Sequence, residues 1–210
     1  MAGSKQTGKE NRIISILWKI KAIETNTKNQ FHLASGKKSP IYIDCRRMLS
    51  FPEEREVIVN AAVDSIRGVG IDVLAGCETA GIPLASFLAQ KMSLPMVYVR
   101  KEAKGHGRGK QIEGILSKGR RVLLCDDLIT DGGSKKAFID AIRKEGCKLE
   151  HCLVVFDREQ GGKESLAEMG ITLHALARLR PALEYGVKEG YIKKRDADIV
   201  IGYLERERQS

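Results

Sequence analysis

Short apolar runs at residues 72–75, 96–99, 122–125 and 153–156 each stop at a glycine or a charged residue, and a further one lies at 171–176. The first, third and fourth lead into stretches with helical periodicity, over 82–92, 134–145 and 163–169. Runs this short and this uniformly apolar suit strands buried on both faces, in a parallel sheet whose crossovers are helices. The expected class is therefore α/β: a doubly wound, mainly parallel central sheet flanked by helices. Ile13, Ile14, Ile16, Leu17 and Ile20 recur at helical spacing, so residues 10–24 read as an amphipathic helix. Pro52 with Glu53 and Glu54 starts another helix, which runs to Ile66. Residues 41–44 form a short strand, 76–81 a turn, and the tail over 181–204 two short helices parted around 193–196. In such sheets ligands bind beyond the carboxyl ends of the strands, which here means the loops after Ala75, Val99, Cys125 and Phe156.

A chain of 210 residues is expected to form one domain over its whole length. Its apolar stretches, such as 199–204, are too short to cross a bilayer, and residues 1–12 are too polar for a signal peptide. Cysteines 45, 77, 125, 147 and 152 contain no CxxC pair; although His151 stands beside Cys152, buried free thiols in a reducing, cytoplasmic compartment are the expectation. The formal charge of +9 invites a nucleic-acid reading, but residues 100–121 alone carry eight Lys/Arg against Glu102 and Glu113. That segment has no aromatic residue to stack a base, so the cluster suits a small polyanion better than a nucleic acid.

The most informative stretch is Val-Leu-Leu-Cys-Asp-Asp-Leu-Ile-Thr-Asp-Gly-Gly-Ser at 122–134, an apolar run stopped by two carboxylates and followed by a small-residue loop and a helix. Gly132 and Gly133 allow successive N–H groups to converge, and the helix N-terminus adds a positive dipole: a phosphate cradle. Thr130 and Ser134 add hydroxyl donors. Asp126 and Asp127 cannot hold a phosphate, so they are expected to accept from sugar hydroxyls or to attract a metal. An acidic turn with an N-capping serine is the alternative for such a stretch in isolation.

This segment resembles the phosphoribosyl-pyrophosphate signature of type I phosphoribosyltransferases. Residues 31–44, Phe-His-Leu-Ala-Ser-Gly-Lys-Lys-Ser-Pro-Ile-Tyr-Ile-Asp, are similar to the orotate-contacting stretch of the orotate phosphoribosyltransferase family. Residues 100–106, Arg-Lys-Glu-Ala-Lys-Gly-His, followed by Ile112-Glu-Gly, are similar to that family's closing catalytic loop, and Asp157-Arg158 also fits. The resemblance implies the type I fold with a small N-terminal hood over about 10–45, a core over about 53–180 and a helical tail over about 181–205. It implies transfer of a phosphoribosyl group to orotate in pyrimidine (UMP) biosynthesis.

By the same resemblance, Arg100, Lys101, Lys104 and His106 would contact pyrophosphate, part of their loop closing over a neighbouring subunit's site in a homodimer. Asp126 and Asp127 would hold the ribose hydroxyls, and Thr130, Asp131, Gly132, Gly133 and Ser134 the 5′-phosphate. Arg158 and Thr130 would contact orotate together with the backbone around Ser35, Gly36, Lys37 and Lys38. Gly76 and Thr79 would line the pyrophosphate side. Magnesium (Mg2+) would be held mainly through the substrate, near Asp126 and Asp127. Three residues differ from the family pattern: Ala34 and Ala80, where lysines are frequent, and Asp131, where a small neutral residue is usual. The carboxylate of Asp131 is expected to turn away from the phosphate, toward the helix N-terminus. The alternatives are transfer to a purine, or a nucleic-acid-binding regulator on the same fold, for which only 30 residues precede Phe31.

Overall fold

The computed structural model of the chain describes residues 2–32, 36–102 and 111–207, with side chains from residue 7 onward. In chain order the elements are α1 (Ala2–Lys19), β1 (Ile23–Thr25), β2 (Phe31–His32), β3 (Lys38–Ser39) and β4 (Ile41–Ile43). A 3-10 helix (Cys45–Ser50), α2 (Pro52–Ser65), β5 (Val73–Cys77), α3 (Gly81–Met92), β6 (Met96–Val99) and β7 (Ile112–Glu113) follow. The remainder is β8 (Arg121–Ile129), α4 (Gly133–Lys144), β9 (Lys148–Asp157), α5 (Gly162–Glu168), β10 (Thr172–Arg178), α6 (Leu179–Lys188) and α7 (Lys194–Glu207).

Six strands form the central sheet in the order β10-β9-β8-β5-β6-β7; all pairings are parallel except that of β7 with β6. Side chains alternate across it with period two. Leu74, Leu123, Cys125, Leu153 and Val155 join the core beneath α1, α2, α3, α6 and α7. Val73, Ala75, Val97, Val122, Leu124, Cys152 and Val154 face α4 and α5. Sheet order reverses between β5, whose chain continues outward to β6, and β8, which continues the other way to β9. That is the switch point at which such sheets bind ligands.

Two expectations about element limits are corrected. The apolar run at 122–125 does not stop at the aspartates: β8 continues to Ile129, because its ladder with β9 persists to the Ile129–Asp157 pair. The N-terminal helix begins before residue 10 and ends at Lys19, not 24. Lys21 takes a left-handed φ of 56° and the Ala22 amide returns to Leu17 O at 2.8 Å, turning the chain into β1.

Helix α1 belongs to the main core. Ile13, Ile14, Leu17 and Trp18 are buried there, and Trp18 donates from Nε1 to Ala182 O at 3.0 Å while stacking on Tyr191. Between α1 and α2 lie two small antiparallel pairs, β1 with β4 and β2 with β3. All five cysteines are free and buried. No helix among the described residues is long and apolar enough to cross a membrane.

Candidate active site

At the switch point the backbones of α3 and β8 nearly touch. A Cβ on Gly81 would lie 2.2 Å from Cys125 O, so only glycine allows the start of α3 to pack against β8 there. The same Cβ would lie 3.0 Å from Asp126 Cα. Gly76 lies inside β5 rather than in the turn, which comprises 78–80 and includes Thr79. Glu78 reaches across to β6: its Oε2 accepts from the Lys101 amide at 3.0 Å, and its Oε1 lies 3.9 Å from the Arg100 guanidinium. Arg100 is 3.9 Å from Glu113 as well, and its buried Nε has no partner among the described residues. The entry to the basic loop is thus anchored by Glu78, a residue the sequence reading passed over.

The small-residue loop after β8 leads directly into α4. Gly132 adopts φ 83° and caps α4, whose N-terminus it opens toward the carboxyl end of β8. The Thr130 carbonyl accepts from Gly162 N at 2.9 Å, which ties the loop to α5. Asp131 is exposed and does sit at the helix N-terminus, but it does not leave the loop. Its Oδ1 accepts from the Gly133 amide at 3.0 Å, taking a donor that the cradle would offer to a phosphate, and lies 3.4 Å from Thr130 Oγ1.

The two aspartates differ. Asp126 is buried and both its oxygens are engaged, Oδ1 with the Asp127 amide at 2.9 Å and Oδ2 with Lys135 Nζ. The pairing of Asp126 with Lys135 is a contact the sequence reading did not anticipate. Asp127 accepts from the Leu128 amide at 2.8 Å, and its pKa is pushed up to about 7 by burial and by the adjacent Asp126. Among the described residues no cluster of three or more His, Cys, Asp or Glu could hold a metal ion.

At the end of β9, Arg158 follows Asp157, whose buried carboxylate accepts from the Glu159 amide at 2.7 Å and fixes the turn. The Arg158 amide donates to Ile129 O at 3.0 Å, placing this turn against the root of the cradle. Arg158 is 8% exposed, yet Nε and one terminal nitrogen have no hydrogen-bond partner among the described residues. Burial lowers its pKa, opposed by Tyr203 and Glu207 of α7. A guanidinium left so is a strong site for a planar anion. Lys37 is not free to meet one: it pairs with Glu207 Oε2 at 2.7 Å, joining the N-terminal hairpin to the last helix. Gly36 and Lys38 lie on the same hairpin, exposed, as does Ser134 on the first turn of α4. Ala34, Ser35, Lys104 and His106 lie outside the described residues.

A cavity of about 780 Å³ runs instead along the edge strand β10. Its charged lining is largely paired already, Arg178 with Glu10 and Lys9 with Asp64, and it also includes Asp157 and Lys163.

Residues 53–174 match the phosphoribosyl transferase domain family. The chain is 42% identical over 197 residues to a Rhizobium johnstonii protein named orotate phosphoribosyltransferase, covering 92% of this chain and 86% of that one. Among solved structures it is similar to orotate phosphoribosyltransferase from Aeropyrum pernix, with TM-score 0.75 and 35% identity over 86% of this chain and 99% of the other. It is also similar to Leishmania donovani UMP synthase, with TM-score 0.84 and 30% identity; 95% of this chain is covered, but only 43% of that longer one. With a family model matched over more than half its length and 42% identity across most of a relative so named, the chain belongs to the orotate phosphoribosyltransferase family of phosphoribosyltransferases.

Proposed function

We propose that the chain transfers the phosphoribosyl group of 5-phosphoribosyl-1-pyrophosphate to orotate, giving orotidine 5′-phosphate and pyrophosphate in UMP synthesis. The observation that carries this reading is the juxtaposition of the cradle with Arg158, held one backbone hydrogen bond apart through Ile129. The cradle amides take the 5′-phosphate, Asp127 a ribose hydroxyl, and Arg158 the orotate carboxylate. The bond from the anomeric carbon to pyrophosphate breaks as a ring nitrogen of orotate bonds to that carbon. Positive charge builds on the sugar while pyrophosphate leaves as an anion, so cations placed at the leaving group are the main source of acceleration. Arg100 and Lys101, with Lys104 and His106, supply them; Glu78 orients the first two. Loop closure would exclude the water that would otherwise hydrolyse the sugar.

Magnesium fits this donor set only through the substrate: with Asp126 committed to Lys135, the chain offers little more than Asp127, and Mg2+ prefers phosphate oxygens and water. When bound it would neutralise pyrophosphate charge. Assaying orotate, adenine and hypoxanthine, each with and without magnesium, tests the reading. Turnover of a purine without orotate would replace it, and RNA binding with steep salt dependence and no transfer would favour a regulator.

The loop is proposed to act in a twofold dimer, each copy serving its neighbour's site. Mixing Lys101→Ala with Asp127→Asn chains, each nearly inactive alone, should then restore up to about a quarter of the activity by random pairing. No recovery on subunit exchange would refute shared sites. The buried reduced thiols suit the reducing cytoplasm.

A further inference from the structure

The turn after β9 is pinned at its backbone, while its arginine side chain is held much less. On the side of β8, the Arg158 amide donates to Ile129 O at 3.0 Å and the Gly162 amide to Thr130 O at 2.9 Å. A Cβ on Gly162 would lie 2.5 Å from Ile129 Cγ1, so the turn is pressed against the end of that strand. On the far side the tie is Glu159, whose Oε2 accepts from the Arg180 amide of α6 at 2.6 Å. Its own amide donates to Asp157 Oδ1 at 2.7 Å. Nε and one terminal nitrogen of Arg158, by contrast, have no hydrogen-bond partner among the described residues. With those nitrogens unheld, the guanidinium takes its direction from the backbone that carries it.

Glu159 is an unusual residue for its position. Its φ is 54°, in the left-handed region where glycine is the natural choice and a glutamate is strained. The side chain must therefore contribute something that offsets the strain. Helix α6 shows one contribution. Its N-cap residue, Arg178, makes no side-chain cap hydrogen bond and its first turn carries no acidic residue, so Glu159 supplies both the acceptor and the negative charge. A serine or aspartate at the N-cap would do that locally. The route through the turn instead couples Arg158 to a helix beyond residues 53–174, the stretch that matches the phosphoribosyl transferase domain family. We infer that Glu159 is a positioning residue for the base: by tying its turn to the N-terminus of α6, it sets the direction in which Arg158 meets a ring-borne carboxylate. The inference rests on the proposed use of orotate and deepens it, since it names what aims the residue that selects the base.

Steady-state kinetics and Tm on a double-mutant cycle with Arg158→Ala separate this role from a mere helix cap. Glu159→Ala should raise KM for orotate about tenfold, with kcat and KM for phosphoribosyl pyrophosphate within about twofold. Glu159→Gln, which keeps an acceptor oxygen, should stay within about threefold of the native KM for orotate. In the Arg158→Ala background, Glu159→Ala should raise that KM by less than about twofold, because no guanidinium is left to aim. Tm should fall alike in both backgrounds, as the loss of a cap requires. If Glu159→Ala does not fold, Glu159→Gly, which suits the left-handed φ, reads the same quantity. A folded variant with native KM for orotate overturns the inference, and so does an equal rise in both backgrounds or for both substrates. In those cases Arg158→Ala alone would still raise KM for orotate, leaving the proposed reaction standing. A native chain that turns over no orotate, or an Arg158→Ala chain with native KM, removes the reading of the base end and this inference with it.

Discussion

The proposed phosphate end of the site comes from one continuous stretch, residues 122–134, whereas the proposed base end gathers Arg158 from the end of β9, Lys37 from the N-terminal strand pair and Glu207 from the last helix. The first is made of backbone amides whose directions follow from local geometry: the left-handed Gly132, the Asp131–Gly133 hydrogen bond and the start of α4. The second is made of side chains brought together over separations as large as the 170 residues between Lys37 and Glu207. Local geometry tolerates change elsewhere in the molecule. A site assembled at long range can be retuned, or lost, by substitutions in several elements, so base selectivity is the more fragile property.

The sharpest way to break that comparison is Arg158→Ala. Loss of a charge-assisted fork should raise KM for orotate about a hundredfold, roughly 3 kcal/mol, with affinity for phosphoribosyl pyrophosphate within about threefold. Because two of its buried nitrogens have no hydrogen-bond partner among the described residues, Tm should hold or rise. Equal losses for both substrates would show that the two ends are one cooperative unit.

Next in size is a pH effect confined to the phosphate end. Asp127 has a folded pKa of about 7, raised above its ordinary value, so the folded state favours the neutral acid. Its contribution to stability is complete below about pH 4 and is lost as pH rises through 7. The Tm of the ligand-free chain, measured against Asp127→Asn, should fall between pH 5 and 8, and the amide variant should be the more stable at pH 8. Parallel Tm curves for the two proteins would contradict the assignment.

A smaller effect is expected at the base end from Glu207→Gln. Exposed ion pairs are worth about 0–1 kcal/mol, so Tm should move by under about 2 °C while KM for orotate rises about threefold as the hairpin loosens. Unchanged orotate kinetics would separate the Lys37–Glu207 link from the site. The smallest change belongs to Asp131→Thr, which frees the Gly133 amide: KM for phosphoribosyl pyrophosphate should fall by no more than about threefold, under 1 kcal/mol. A tenfold gain would mean that the carboxylate faces the phosphate directly.

Much of this was legible in residue order. Strand β6 lies where its apolar run placed it, and α3, α4 and α5 begin within a residue of their expected starts, because burial on both faces and helical periodicity are local signals. Strand β8 was misjudged since charge after an apolar run reads as a stop, yet Asp126 pairs with a residue nine positions on. Lys135 was passed over as one of two adjacent lysines; its spacing to Phe138, Ile139 and Ile142 was the available clue. The hairpin strands β2 and β3, two residues each, carry too little pattern to be seen.

The sequence alone determined the α/β class, the glycine-bearing loop that opens α4 and the residue types proposed to meet a phosphorylated sugar and a carboxylate-bearing base. Each is encoded over a dozen residues or fewer, within reach of backbone sterics and amphipathic periodicity. Only the tertiary structure decided that Asp126 pairs with Lys135, that Glu78 accepts from the Lys101 amide beside Arg100, and that α7 meets the N-terminal strand pair through Lys37. Those outcomes depend on which charges are buried together, and burial is a property of the whole packed chain rather than of any stretch within it.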